Sequence, residues 1–216
     1  MAEPAPGTGP VTREALEGFF GADGLLRVPA ERLPAGLTDP GARAFLTGIG
    51  LPRTPVTPLE PDSHVEQGMI RLADLYLPHY RLSEMHHGLP AEADDWLVLG
   101  VHGEVPFALD GASGAVYTLA GDPEQAYSRP AHRDLHSLAR CLMAYDAEVM
   151  KLVFADFLDE DQTAWCADRL PHWDEIEDAE HEDIIDRFAA RLETAEPGIL
   201  GNPGWQGAVH ALRYGF

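Results

Sequence analysis

Residues 96–121 read WLVLGVHGEVPFALDGASGAVYTLAG, and this stretch restricts the fold more than any other part of the chain. A short apolar run, residues 96–101, ends at His102-Gly103-Glu104. Residues 105–110 follow, then a turn of small residues, Gly111-Ala112-Ser113-Gly114, and then residues 115–120 with Val116, Tyr117 and Leu119. Short β-branched and aromatic runs bounded by Gly, Asp and Ser are the hairpin pattern, so the stretch reads as a three-strand antiparallel meander. It carries no metal-ligand cluster and no phosphate loop, and Ser113 has no base near it in sequence. Such a sheet points to binding rather than chemistry.

Helical patterns surround it. Thr12 is placed to cap a helix over residues 14–20 that stops at Gly21. Residues 25–28 read as a short strand ended by Pro29. Asp39 as N-cap and Pro40 at the first position open a helix over residues 39–47, with Ala42, Phe45 and Leu46 inward. Gly48-Ile49-Gly50-Leu51-Pro52 reads as its stop, since a dinucleotide fingerprint would need a third glycine and a preceding strand. Residues 53–66, with Pro55, Pro58 and Pro61, read as an extended loop. Residues 69–77 read as a strand, with a short helix as the alternative, and residues 79–85 as another strand. From Asp134 to residue 158, Leu135, Leu138, Leu142, Tyr145, Val149 and Leu152 recur every three or four residues, which is one face of a helix. A second helix is expected from Asp159 through residue 170. A third covers residues 174–193 with Ile184, Ile185, Phe188 and Leu192 inward, and a short terminal helix covers residues 205–212. The fold class is therefore α+β: a central antiparallel sheet packed by helices, with a helical C-terminal third. Residues 1–11, rich in Pro and Gly, are expected to be a disordered tail, and residues 12–216 a single domain.

Charge narrows the function. The chain has 36 acidic and 15 basic residues, a formal net charge of −21, and its only lysine is Lys151. A field of this sign repels phosphate backbones, which argues against direct nucleic-acid binding. It favours solubility, and it also accelerates encounter with a basic protein. Residues 156–196 hold 15 acidic residues and three arginines, a net of −12. The simplest account of such a run is a solvated helix face. Like charges four apart, such as Asp174 with Asp178 and Asp178 with Glu182, nevertheless repel, so a helix tolerating them is a candidate for meeting a basic surface. The charge-selected contact residues are Asp159, Glu160, Asp161, Asp174, Glu175, Glu177, Asp178 and Glu182.

No catalytic motif is present: no G-x-S-x-G, H-E-x-x-H, phosphate-binding loop or paired C-x-x-C. Residues 156–161 lack the glycine and terminal glutamate of a calcium loop. His132 and His136 have a metal-compatible spacing but no third ligand nearby, and read as two exposed histidines at a helix start. Cys141, between Leu138 and Leu142, reads as a buried small hydrophobe. With Cys166 it is expected to form a reduced pair in the cytoplasm, because the N-terminus lacks a secretory pattern and no run is long enough to span a membrane. No catalytic residue, cofactor or metal is expected, and the chain is not read as an enzyme.

Three places in the sequence resemble the SUKH superfamily of bacterial immunity proteins, and its fourth subfamily above all, a group common in filamentous actinobacteria. Ala44-Phe45-Leu46 with Ile49-Gly50-Leu51-Pro52 is similar to its early helix ending in a Gly-Leu-Pro turn. Residues 97–119, with Leu109-Asp110 and Gly114 before Val116-Tyr117, resemble its meander, and Ser137-Leu138 through Leu142 resemble the helix after it. Glu196-Pro197 followed by Trp205 is similar to its C-terminus. The resemblance implies an α+β fold and an immunity protein that neutralises a cognate protein toxin, often a nuclease or a nucleic-acid deaminase. A basic toxin of that kind is the expected partner, with neither nucleic acid nor membrane contacted directly. The acidic residues 156–196 depart from the family pattern. Two other readings remain beside it: a protein-interaction or regulatory module of the same fold, and an enzyme built on His132, His136 and a carboxylate.

Overall fold

The computed structural model describes residues 9–53, 59–61, 64–75, 89–102, 105–119, 130–149 and 178–214. The expected first helix is α1, Arg13–Phe20. The Thr12 hydroxyl accepts the Ala15 N–H at 3.2 Å, satisfying one of the donors a helix start leaves open. The last residues of the expected tail are held in place. Val11 is buried and its N–H donates to His136 Nδ1 at 3.1 Å, and the Gly9 carbonyl accepts from Arg140 at 2.8 Å. Residues 1–8 lie outside the described residues.

The strand expected at 25–28 shortens to β1, Leu25–Leu26, because the Val28 N–H is taken by the Leu46 carbonyl at 3.0 Å. α2, Pro40–Ala44, starts as expected, with Asp39 Oδ1 accepting the Ala42 N–H at 2.6 Å. It then loosens into a π turn, Phe45–Ile49, that carries the chain to β2, Leu51–Pro52, the antiparallel partner of β1. Gly50 makes this return possible. Its φ is +94°, and a Cβ there would lie 2.6 Å from the Leu26 carbonyl oxygen.

The meander forms as read: β4, Leu97–His102; β5, Val105–Leu109; and β6, Val116–Thr118. One strand was not foreseen. β3, Glu60–Pro61, lies in the proline-bearing segment expected to be a loop and completes the antiparallel order β3-β4-β5-β6. Its outer position is what lets Pro61 pair, since proline has no N–H to give and is tolerated at an edge. A register shift between Val98 and Gly100 interrupts the β4–β5 ladder. The β5–β6 turn docks on the start of α2. Gly111 carbonyl accepts the Thr38 and Asp39 N–H groups at 2.8 and 2.9 Å, and Gly114, at φ +76°, leaves no room for a Cβ, which would sit 2.7 Å from Asp39 Oδ1.

In the described part of the segment expected as a strand, residues 69–75, the alternative short helix forms instead. Arg71 makes one bridge to Leu97 and the chain then turns into α3, Leu72–Leu75, with the Asp74 N–H on the Arg71 carbonyl and the Asp74 carboxylate on the Arg71 guanidinium. The local turn outcompetes further pairing. The strand expected at 79–85 and the helix expected at 159–170 lie outside the described residues.

Three longer helices follow among the described residues: α4, Leu135–Glu148; α5, Asp178–Ala195; and α6, Pro203–Tyr214. α4 was expected to reach residue 158, and its described part ends near Glu148. α4 and α5 run antiparallel, pinned at both ends. Arg140 donates to the Ala195 carbonyl, and the buried Glu148 carboxylate takes Arg191 Nε at 2.8 Å and Arg187 Nε at 3.2 Å.

The sheet separates two apolar layers. Leu97, Leu99, Phe107, Leu109 and Val116 face the large helical core, which also holds Leu138, Leu142, Phe188 and Trp205. Trp96, Val98, Ala108 and Tyr117 face the other way, onto Leu72, Leu89 and Ala93. Coverage on both faces is why the strands read as nearly continuous apolar runs. The chain is α+β, as the sequence implied. Among the described residues no helix is long and apolar enough to cross a membrane.

Candidate interaction surface

Of the eight charge-selected carboxylates, Asp159, Glu160, Asp161, Asp174, Glu175 and Glu177 lie outside the described residues. Asp178 is the first described residue of α5, and Glu182 stands one turn further along. The local reason for the helix is its apolar stripe: Ile184, Ile185, Phe188 and Leu192 are buried, which turns Glu182, Asp183 and Asp186 to solvent. Arg213 of α6 reaches across to this face, with Nε 3.2 Å from Glu182 and Nη2 on Asp186. Two carboxylates thus share one guanidinium, and Asp183 adds a third negative charge to the face. Ion pairs this open to water add little stability, about 0–1 kcal/mol each.

A buried polar chain at the start of α4 was not foreseen. The two histidines expected to be exposed are not. His132 is fully buried, and His136 is partly buried against Phe45, edge to face at 5.0 Å. Trp205 Nε1–H donates to His132 Nε2 at 2.9 Å. An indole nitrogen is a donor only, so His132 carries its proton on Nδ1 and donates it to Ser137 Oγ, 3.2 Å away. Ser137 in turn donates to Glu196 Oε2, and Arg133 faces the same carboxylate at 3.5 Å. Burial, with the nearby Arg140 charge, pushes the His132 pKa down to about 3, so the ring is neutral. Burial also drives the Cys141 thiol far above its ordinary range. Cys141 is a free buried thiol, as read, while Cys166 lies outside the described residues.

This chain of bonds ties α4, the end of α5 and α6 together, the His132 backbone pairs with Val116 of β6, and both ring nitrogens of His132 are used. The metal reading of His132 and His136 therefore has no lone pair to work with at His132. Among the described residues no group of three His, Cys, Asp or Glu side chains converges on a metal position. Asp134 was legible as the helix cap, and its Oδ1 takes the Ser137 N–H at 2.7 Å. The partners of His132 come from 5 and 73 residues away, which no local pattern reveals.

A second surface lies on the outer layer of the sheet. Tyr117 stacks on Trp96 with ring centroids 4.1 Å apart and planes 16° from parallel. Tyr117 is partly exposed and Trp96 buried. Burial raises the Tyr117 pKa, and the Asp110 and Glu92 charges raise it further. Glu92 belongs to the 3-10 turn Ala91–Asp95 and is exposed.

The model of the SUKH-4 immunity protein family matches residues 11–210. No curated protein and no solved structure matches the chain.

Proposed function

The chain belongs to the SUKH-4 immunity protein family, and from that premise we propose that it binds a cognate protein toxin in the cytoplasm and neutralises it by covering its active site. The observation that carries this reading is the extent of the family match, residues 11–210 of 216. The net charge of −21 supports a basic toxin of the nuclease or deaminase type, since enzymes that act on nucleic acid present cationic grooves to their substrate. The chain acts by occupancy, as a binding protein without catalysis. Its acidic residues Asp159, Glu160, Asp161, Asp174, Glu175, Glu177, Asp178 and Glu182 form the proposed contact set, and the solvent-facing carboxylates of α5 extend it. Opposite fields bring the partners together quickly, and the fit of the two surfaces then sets how long they stay.

Coexpression with the toxin encoded beside it tests the reading. Cells carrying both proteins are expected to grow where the toxin alone stops growth. If growth stops equally with and without this chain, the reading is wrong. A scaffold of the same fold acting on another protein would also give no rescue.

A further inference from the structure

Helix α4 buries two side chains that carry full charges, and the fold treats them differently. Glu148, 2% exposed, is matched by Arg187 and Arg191. Arg140, 3% exposed, pairs with no carboxylate among the described residues. Its Nη1 donates to the Gly9 carbonyl at 2.8 Å, while Nε and Nη2 both donate to the Ala195 carbonyl at 3.3 Å. Backbone carbonyls solvate a guanidinium without cancelling its charge, and buried charges are ordinarily paired. An arginine has five N–H groups, so these bonds leave two donors unused. This happens in a chain with 36 acidic and 15 basic residues, where a carboxylate partner is easily supplied.

The same side chain lines an open cleft of about 240 Å³ at the start of α4. Pro10 and Pro197 give it apolar walls, and Arg133, Asp134 and His136 complete the lining. His136 Nδ1 accepts the Val11 N–H at 3.1 Å, so the ring proton sits on Nε2, which is a donor. Two carboxylates belong to this neighbourhood, and each is already matched. Asp134 Oδ1 takes the Ser137 N–H at 2.7 Å at the positive end of α4. Glu196 accepts from Ser137 and lies 3.5 Å from Arg133. The charge left over is the single positive charge of Arg140. Unused donors around an uncancelled cation call for an acceptor that carries one negative charge.

We propose that this cleft is a receptor for one carboxylate, with Arg140 as its principal ligand and His136 and Arg133 beside it. A doubly charged phosphate fits less well, because Asp134 and Glu196 repel a second negative charge. The carboxylate comes either from a small free acid or from an aspartate or glutamate side chain of a bound protein, and its chemistry at Arg140 is the same. The inference does not depend on the toxin-binding reading.

The test follows the assigned Arg140 Nε–H signal of the full chain by NMR during titration with sodium acetate, and with sodium chloride at equal ionic strength. Acetate is expected to shift the signal saturably, with a midpoint of roughly 10 mM or below, and chloride to leave it in place. Arg133→Gln, at a half-exposed position in the lining, is expected to raise the midpoint roughly threefold. Arg27→Gln, an exposed change outside the lining, is expected to stay within about twofold of wild type. Thermal unfolding confirms that both variants are folded. A shift that never saturates, or an equal response to chloride, overturns the receptor and leaves the toxin-binding reading untouched. Saturation by inorganic phosphate at a lower concentration than acetate overturns the carboxylate assignment. Addition of the neighbouring toxin domain distinguishes the two sources. Loss of acetate binding in the complex assigns the carboxylate to the partner, and unchanged acetate binding assigns it to a free acid.

Discussion

At the scale of single residues, the buried chain Trp205–His132–Ser137–Glu196 sets the sharpest expectations. Trp205→Phe removes the only donor to His132 Nε2 and leaves a buried acceptor unpaired. Trp96→Phe removes a donor that has no acceptor. Both lose ring volume, so the difference isolates the hydrogen bond. Trp205→Phe is expected to cost about 1–3 kcal/mol more in chemical denaturation than Trp96→Phe. His132 also links stability to pH. Its folded pKa of about 3 lies below the ordinary value of 6.5. Above pH 6.5 neither state is protonated, and the contribution is complete. As pH falls below 6.5, the unfolded chain takes up a proton that the folded chain refuses until about pH 3, so stability is lost across that window. The loss is about 1.4 kcal/mol per pH unit for one proton. Between pH 6.5 and 4.5, the stability of the wild type is expected to fall with a slope steeper by one proton than that of His132→Gln. Parallel slopes would show that His132 is charged in the folded protein. None of this was legible in the sequence. His132 precedes a helix cap, where an exposed side chain is the ordinary expectation, and its burial depends on Trp205 arriving from the far end of the chain.

Elements were more legible, because their signals are local. Thr12, Asp39 and Asp134 were each read as helix caps, and each accepts a backbone N–H three residues on. The meander was legible because its strands alternate between two apolar layers while Gly and Asp mark its turns. The strand β3 was not, because two residues, one of them Pro61, carry no pattern, and α3 displaced a strand because one turn bound by Arg71 and Asp74 satisfied the chain locally. The contact between α4 and α5 gives an expectation at this scale. Glu148 is buried, whereas Arg187 and Arg191 are 50% and 28% exposed at their side chains. Glu148→Ala strands two arginines that can turn toward water, so it is expected to cost about 1–3 kcal/mol, less than breaking a fully enclosed pair. Arg187→Ala is expected to cost less than Glu148→Ala, since Arg191 still holds the carboxylate. Equal losses in thermal unfolding would mean that Arg187 alone carries the contact.

For the whole molecule, the fold class and the family were legible before any coordinates, since core and turn residues carry both. The proposed interaction surface was legible only as charge. Composition says that the chain is acidic and where the acid concentrates, but a solvated face and a docking face have the same composition. The structure adds that Glu182, Asp183 and Asp186 face solvent on α5, with Arg213 pairing Glu182 and Asp186. On the proposed reading, this acidic face meets a basic toxin through long-range attraction. The most direct test is the dissociation constant for the neighbouring toxin at about 50 mM and about 500 mM salt, conditions that shorten the screening length from roughly 14 Å to roughly 4 Å. A tight complex at low salt that weakens by roughly tenfold or more at high salt is the expected result. A complex of unchanged affinity at both concentrations, or no complex at either, would contradict it.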